Sequence, residues 1–219
     1  MAEVNLLAKL PNTTRNLVQR HAAQTLENVA IAKQYGEQYF DGARDVGYGG
    51  YRYDGRWIPV AEDIVRHFGL APGDRVLDVG CAKGFLVKDL MKVCPGLEVF
   101  GLDISEYALM HCEPEVVGRL HLGNAKQLPF PDKSFAAVIS INTLHNLERA
   151  DVIRALCEIE RLAPRRSFVQ VDAYHTPEQR SLFMSWVLTA MFHDYPNEWV
   201  RVFEEAGYTG DWYWTILGG

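Results

Sequence analysis

A run of small residues follows an apolar segment and carries one acidic side chain. Residues 75 to 85 read RVLDVGCAKGF. Small side chains let a ligand approach the backbone, and a helix beginning after them offers unpaired N–H groups. A dinucleotide-binding turn has glycine at its first, third and sixth positions, which here hold Gly80, Ala82 and Phe85. Because the carboxylate of Asp78 disfavours a pyrophosphate, the run predicts a binding turn for a ligand with positive charge.

A second acidic residue ends the next apolar segment, where residues 99 to 105 read VFGLDIS. Asp103 lies about 20 residues beyond the glycine turn, the spacing at which a carboxylate can accept hydrogen bonds from a ribose diol. Asp103 and Ser105 are also suitable helix-capping residues, so both could merely begin a helix. In combination with the glycine turn, the spacing favours a bound nucleoside.

A third segment completes an ordered set of motifs. Residues 122 to 135 read LGNAKQLPFPDKSF, and residues 140 to 145, after an apolar run, read SINTLH. With this ordered set, the chain resembles the class I S-adenosylmethionine-dependent methyltransferases. The resemblance extends from Ile58 to Ile216 and is most specific between Val76 and His145.

The resemblance implies a site for S-adenosyl-L-methionine. Four residues of the turn would surround the methionine portion of that cofactor: Asp78, Gly80, Cys81 and Gly84. Asp103 and Ile104 would hold the ribose and the adenine, and Asn124 and Ala125 would lie at the adenine edge. Many relatives have Asp in place of Asn124 and glycine in place of Ala82. An amide oxygen can still accept a hydrogen bond from the adenine amino group.

The segment before these motifs is rich in glycine and tyrosine. Residues 41 to 56 contain five glycines and three tyrosines. We expect a mobile loop that closes over the site, in which Tyr53 contacts the cofactor and Arg52 or Arg56 meets a carboxylate. The alternative is a surface loop whose aromatic rings pack on the core.

Candidate catalytic residues follow the fourth and fifth predicted strands. Ligands of an open parallel sheet bind beyond the carboxyl ends of the strands, where Asn142 and His145 follow one strand and His175 follows the next. Asn142 is expected to contact the cofactor, and His145 or His175 could accept a proton from the acceptor. Either histidine could instead be a structural residue. A sulfonium is already an activated methyl donor, so a dedicated base is not required.

Short apolar runs alternate with amphipathic stretches from residue 58 onward, the pattern of a parallel sheet covered by helices on both faces. The sequence therefore predicts a doubly wound α/β fold, Rossmann-like as in class I methyltransferases, preceded by an N-terminal helix. Apolar residues at helical spacing predict further helices over 152–163, 59–68 and 198–206. The predicted strands are Arg75–Val79, Glu98–Leu102, Arg119–Leu122, Phe135–Ile141, Ser167–Asp172 and Trp212–Ile216.

Two parts are expected along the chain. Residues 1–56 contain one helix over Leu17–Tyr39 and the glycine- and tyrosine-rich loop, and residues 57–219 form the cofactor-binding core. Within the core, residues 176–197 include the apolar stretch Leu182–Phe192 and could cap a substrate site. The resembling fold has seven strands, whereas one predicted strand follows the last helix. We therefore expect the C-terminal sheet edge to be abbreviated or completed by a partner copy in a homodimer.

Composition argues against several other classes of protein. The 22 basic and 28 acidic residues give a net charge of −6, which disfavours broad contact with nucleic acid. The longest apolar stretch is too short to cross a bilayer, and the first residues lack the pattern of a secretory signal. Histidine spacing predicts no metal site, and the four scattered cysteines suit a reducing cytoplasm. These cysteines are Cys81, Cys94, Cys112 and Cys157.

The predicted function is S-adenosylmethionine-dependent methyl transfer to an oxygen or nitrogen atom of a small-molecule acceptor, such as a sugar or another metabolite. One alternative is a nicotinamide-dependent oxidoreductase, which the sheet pattern and Asp103 favour and which Ala82 and Phe85 oppose. The other alternative is a non-catalytic protein that binds S-adenosylmethionine.

Overall fold

Six parallel strands form one sheet in the computed structural model, which describes residues 1–11 and 17–217. Their order is β3-β2-β1-β4-β5-β6, and every neighbouring pair is parallel. The strands are β1 (Arg75–Val79), β2 (Glu98–Asp103), β3 (Leu120–Leu122), β4 (Ala137–Ile141), β5 (Ser167–Ala173) and β6 (Asp211–Ile216). All six predicted strands are confirmed to within two residues at each end. The described residues contain no seventh strand, and β6 pairs directly with β5.

Helices cover both faces of this sheet, as expected for a doubly wound fold. They are α1 (Leu17–Ala22), α2 (Leu26–Ala32), α3 (Glu37–Phe40), α4 (Ile58–Phe68), α5 (Phe85–Val93), α6 (Glu106–Met110), α7 (Arg149–Leu162), α8 (Pro177–Met184) and α9 (Pro196–Glu205). Short 3-10 helices lie at Pro114–Val116 and Leu144–Asn146. Among the helices described, none has both the length and the apolar character needed to cross a membrane.

The two faces of the sheet carry separate apolar cores. On one face, α7 and α9 bury Leu156, Trp199 and Phe203 against the central strands. On the other face, α4 and α5 bury Ile64 and Leu90. Since β4 is buried along its whole length, its run of apolar residues matches a strand covered on both sides.

The prediction for α4 is confirmed, and its ends follow from its sequence. Pro59 lies in the first turn, where a missing N–H costs nothing. Gly69 ends the helix in the left-handed conformation, with a φ of +58° and its N–H bonded to the carbonyl oxygens of Val65 and Arg66.

The single helix predicted over residues 17–39 is wrong, because the structure has α1, α2 and α3 there. Thr25 begins α2, and its Oγ1 accepts a hydrogen bond from the Asn28 N–H at 3.1 Å. This cap interrupts the helix although the apolar spacing continues through it. Leu26, one of the residues that carried the prediction, is 92% exposed.

The N-terminal segment covers part of the free edge of β6. The N–H of Val4 donates to the Trp212 carbonyl at 2.8 Å, and the N–H of Trp212 donates to the Ala2 carbonyl at 3.0 Å. The N–H of Ala2 also donates to the Asp211 carboxylate at 2.7 Å. This part of the edge is therefore paired with the chain itself.

Candidate functional site

The glycine turn lies between β1 and α5 and packs against the neighbouring strand ends. Gly80 has a φ of +85°, and a Cβ at this position would lie 1.9 Å from Oγ1 of Thr143. Gly84 has a φ of +76°, and its Cβ would lie 2.8 Å from Val116. Glycine is required at both positions because neither the conformation nor the space admits a side chain. The turn therefore keeps its backbone open toward the carboxyl ends of the strands.

Asp103 joins the end of β2 to this turn. Its Oδ2 accepts a hydrogen bond from the Ala82 N–H and its Oδ1 accepts one from the Ser105 N–H, both at 2.8 Å. Burial raises the pKa of Asp103, and these backbone donors oppose the rise. A carboxylate can accept about four hydrogen bonds, so Asp103 can accept from a ligand hydroxyl in addition to its backbone donors. Ser105 begins α6 by accepting from the Ala108 N–H, so the capping interpretation of Ser105 is confirmed. The ribose role of Asp103 stays a prediction.

Asp78 lies on β1 just before the turn and is 4% exposed. Burial, followed by the charge of Asp103, raises the pKa of Asp78 to about 7. Within the described part of the chain, neither acid forms an ion pair, and the nearby Lys83 pairs with Asp41 at 2.6 Å instead. Two buried acidic groups without a cation favour a positively charged ligand, because such a ligand would offset their mutual repulsion.

The other expected cofactor residues lie around this turn, but with different roles for their side chains. The Cys81 side chain packs against Gly101 of β2, so its backbone alone is left to face the site. Ile104 lies next to Asp103 and is 56% exposed. Such exposure would let its apolar side chain contact the adenine ring. Asn124 uses its Oδ1 to accept the Lys126 N–H at 3.0 Å, and Ala125 is buried next to it.

Residues 41–56 cover the turn as a loop bound to α5 and α6. Tyr51 stacks on Phe85 with ring centres 4.6 Å apart, and Tyr48 packs against Tyr51 at 4.4 Å. Burial and the nearby charge of Asp78 raise the pKa of Tyr51, so its hydroxyl stays protonated close to the two acids. The aromatic rings of this loop therefore pack on the core, and closure of the loop over a ligand stays a prediction.

Two residues of this loop that were expected at a ligand, Tyr53 and Arg56, have partners within the chain. The Tyr53 hydroxyl donates to Asp89 of α5 at 2.5 Å and does not face the cleft beside the turn. Tyr51 takes the position expected of Tyr53, because the fully buried Asp89 draws the Tyr53 hydroxyl to α5. Arg56 is already paired with Asp54 in a bidentate ion pair, whose shortest N–O distance is 2.6 Å.

A cleft of about 960 Å³ opens at the carboxyl ends of β4 and β5. Asn142, His145 and Asp172 line it, together with Tyr51 and Phe85 from above the turn. Asn142 has a φ of +55°, a conformation uncommon for a residue with a side chain, and its backbone N–H donates to Gln170 of β5. The structure therefore brings Asn142 and His145 together, as predicted.

His145 is fixed in a definite orientation. Its Nδ1 accepts a hydrogen bond from the Asp172 N–H at 3.2 Å, and its carbonyl oxygen accepts from the N–H groups of Met191 and Phe192. The Asp172 Oδ2 also lies 3.6 Å from the same Nδ1. The Asp172 N–H favours a proton on Nε2, whereas the Asp172 carboxylate favours one on Nδ1, which leaves a lone pair on Nε2. Both contacts orient the ring, and the role of His145 as a base stays a prediction.

His175 does not reach the cleft. It is exposed in the turn before α8, where its backbone N–H donates to Gln179 at 2.7 Å. The chain leaves β5 and turns away at Tyr174, whose hydroxyl lies 3.3 Å from His193. His175 was a candidate because it lies close to the end of β5 in the sequence. In the structure it lies away from the cleft.

Sequence reasoning missed residues that reach the cleft from distant segments. Arg20 of α1 and Arg44 both line it, and the segment Trp186–Thr189 forms another wall. Part of the segment 176–197, which was expected to cap a substrate site, therefore lies at the cleft. No local pattern marks Arg20, and Arg44 lies in the glycine- and tyrosine-rich loop without a feature that distinguishes it there.

Comparison with known proteins finds similarity over the centre of the chain. A family described as "Methyltransferase domain" matches residues 77–166. The chain is 36% identical over 128 residues to the demethylmenaquinone methyltransferase of Symbiobacterium thermophilum, covering 54% of this chain and 50% of that protein. It is 35% identical over 113 residues to the fatty-acid O-methyltransferase of Mycolicibacterium smegmatis, covering 48% and 40%. The chain thus spans half or less of the length of these two curated relatives.

Solved structures show the same fold at low sequence identity. The YcgJ protein of Bacillus subtilis aligns with a TM-score of 0.55 and 20% identity over 67% of this chain and 66% of that chain. A chain from the complex of the Haloferax volcanii Trm112 methyltransferase activator aligns with a TM-score of 0.57 and 24% identity, covering 69% and 68%.

Proposed function

We propose that this chain, which carries a methyltransferase domain at residues 77–166 and has the class I methyltransferase fold, transfers the methyl group of S-adenosyl-L-methionine to a small-molecule acceptor. The observation that carries the proposal is the pair of buried acids at the glycine turn. Asp78 and Asp103 have no cationic partner within the described residues. A ligand that bears a sulfonium and an ammonium group would supply the missing positive charge, and its ribose would supply hydroxyls to Asp103.

The chain's own residues would bind and orient the reactants. When bound, the cofactor supplies a methyl group activated by a positively charged sulfur. Asp78 favours that charge at the turn, and Asp103 holds the ribose hydroxyls with its free lone pairs. Tyr51 and Phe85 exclude water from one side, which strengthens these electrostatic contacts. Alignment of the acceptor with the methyl group then accounts for most of the expected rate enhancement.

His145 would act on the acceptor through Nε2. With its proton on Nε2 it would donate a hydrogen bond that positions an acceptor oxygen or nitrogen, and with its proton on Nδ1 beside the Asp172 carboxylate it would accept the proton that the acceptor loses. A small acceptor is supported by the size of the cleft and by the names of the two curated relatives, which act on a quinone precursor and on fatty acids. Two points stay predictions. The acceptor is expected to be a sugar or another metabolite, and two copies of the chain are expected to associate.

Calorimetric titration tests the proposal. Wild-type protein should bind S-adenosylmethionine and S-adenosylhomocysteine but not the reduced nicotinamide cofactors. Asp103→Asn should weaken both interactions by about ten- to a hundredfold, since a hydrogen bond to a charged group is lost. Asp132→Asn is the matched control, because Asp132 is 73% exposed in the segment that precedes β4, at the opposite end of the sheet.

Tighter binding of a reduced nicotinamide would favour the oxidoreductase alternative and contradict the proposal. Binding of S-adenosylmethionine without release of S-adenosylhomocysteine across a panel of metabolites would favour the non-catalytic alternative.

A further inference from the structure

The charge of the cleft is opposite to that of the whole chain. The protein has a net charge of −6, yet among the described residues four arginines and a single carboxylate, Asp172, line the cleft. Arg56 is neutralised by Asp54, which leaves Arg20, Arg44 and Arg52. A cleft whose charge opposes the net charge of the protein selects ligands by sign, because it concentrates anions locally.

Arg20 and Arg44 are held in place by backbone carbonyl groups rather than by acids. Nη1 of Arg20 donates to the Arg44 carbonyl at 2.7 Å, and its guanidinium lies over the Trp186 ring at 5.1 Å. Nη1 of Arg44 donates to the Tyr48 carbonyl at 2.8 Å. Neither guanidinium has a carboxylate within 4.0 Å in the described part of the chain, and Asp45 acts on Arg20 only from a greater distance.

The two guanidinium groups repel each other. Burial, followed by the charge of Arg44, lowers the pKa of Arg20. Each group has five N–H donors, of which the backbone carbonyls occupy only some. Two fixed guanidinium groups with free donors and no counter-ion match an oxyanion in both charge and geometry.

One segment, which begins at Trp186, contacts both Arg20 and His145. Arg20 donates from Nε to the Trp186 carbonyl at 3.3 Å, and the chain that follows Trp186 returns to His145 at Met191 and Phe192. An anionic group bound by the arginines would therefore anchor one end of a molecule whose other end reaches His145.

We propose that the acceptor carries an oxyanion group, either a carboxylate or a phosphate, and that Arg20 and Arg44 bind it. The inference rests on the proposed methyltransferase function, because it assigns the acceptor of that reaction. It goes beyond that function by naming the chemical class of the acceptor and two residues that select it.

Anion binding can be measured without knowing the acceptor. Thermal unfolding is followed with S-adenosylhomocysteine present while sodium phosphate or sodium acetate replaces sodium chloride at constant ionic strength. One or both anions should raise the melting temperature of the wild type and of the control Arg154→Gln, whose residue is 68% exposed on α7. In Arg20→Gln and Arg44→Gln the apparent affinity for that anion should fall about ten- to a hundredfold.

An equal anion effect in all four proteins, or none in the wild type, would overturn the proposal. A response to acetate alone identifies a carboxylate group, and a response to phosphate alone identifies a phosphate. If Arg20→Gln does not fold, Arg44→Gln decides the matter, since Arg44 is exposed.

A second measurement separates the acceptor from the cofactor, whose methionine portion also carries a carboxylate. Affinity for S-adenosylhomocysteine is compared with affinity for methylthioadenosine, which lacks that carboxylate. Both affinities should be unchanged in the arginine variants. A selective loss for S-adenosylhomocysteine would show that the arginines bind the cofactor, and the proposal would be wrong. The proposed methyltransferase function would fail separately, because the wild type would then bind neither S-adenosylmethionine nor S-adenosylhomocysteine.

Discussion

Ala82 occupies a backbone conformation that normally favours glycine. Its φ is +48°, in the left-handed region, and its N–H donates to Asp103. The Cβ in this region costs about 1–2 kcal/mol, while replacement by glycine loses about 0.4–1 kcal/mol through the unfolded state. Ala82→Gly should therefore raise the free energy of unfolding by about 0.5–1 kcal/mol, measured by denaturant titration.

Ala150→Gly provides the opposite control for this prediction. Ala150 is exposed in α7, where glycine should lower the free energy of unfolding by about 0.5–1 kcal/mol. If both variants lose stability equally, the strain assigned to Ala82 does not exist.

Asp78 links the stability of the ligand-free protein to pH. Its pKa rises from the ordinary value of 3.8 to about 7 on folding, so the folded state holds a proton that the unfolded chain releases. The stabilisation is complete below pH 3.8 and is lost as the pH rises through 7. The free energy of unfolding should thus fall by about 1–4 kcal/mol between pH 4 and pH 8, and Asp78→Asn should flatten this part of the profile.

Asp63→Asn is the control with the opposite sign, since the ion pair with Lys9 lowers the pKa of Asp63. In Asp63→Asn the free energy of unfolding should fall between pH 5 and pH 8 by the same amount as in the wild type. A wild-type profile in Asp78→Asn would contradict the assignment of this fall to Asp78.

At the scale of elements, the loop 41–56 is attached to α5 by a hydrogen bond to a buried acid. Tyr53 donates to Oδ1 of Asp89, whose Oδ2 is buried without a hydrogen-bond partner among the residues that the structure describes. Burial raises the pKa of Asp89, and the Tyr53 hydroxyl opposes the rise. Tyr53→Phe should therefore destabilise the protein by about 1–2 kcal/mol, because the carboxyl group loses its donor.

A double-mutant cycle isolates this contact. In the Asp89→Ala background, Tyr53→Phe should cost close to nothing, and the same cost in both backgrounds would show that the hydrogen bond contributes no stability. Tyr107→Phe is the matched control, since its hydroxyl donates to an exposed carboxylate, that of Asp41, and its loss should have a smaller effect.

At the scale of the whole molecule, the N-terminal residues protect the edge of the sheet. The Val4 N–H donates to the Trp212 carbonyl, whereas the Glu3 N–H makes no backbone bond within the described residues. Val4→Pro should therefore lower the free energy of unfolding by about 1 kcal/mol more than Glu3→Pro, measured by thermal unfolding. Equal effects would mean that this pairing does not stabilise the edge. A partner copy at the remaining edge of β6 stays a prediction.

The fold was largely predictable because its signals are local. Strands such as β1 and β5 are short apolar runs, and α4 has proline and glycine at its ends. The spacing of apolar residues and the capping residues therefore identify these elements without knowledge of the rest of the chain. The glycine turn and Asp103 were predictable for a related reason. Parallel strands place their carboxyl ends together, so residues that end successive strands meet at one edge.

Tertiary structure alone decided how the remaining side chains are used. It placed Tyr51 rather than Tyr53 at the turn, because buried Asp89 lies on α5. It oriented the His145 ring, because the N–H and the carboxylate of Asp172 both lie beside its Nδ1. It brought Arg20 and Arg44 to the cleft from two segments that precede the core. Each outcome depends on contacts between segments distant in sequence, and neither periodicity nor residue spacing contains that information.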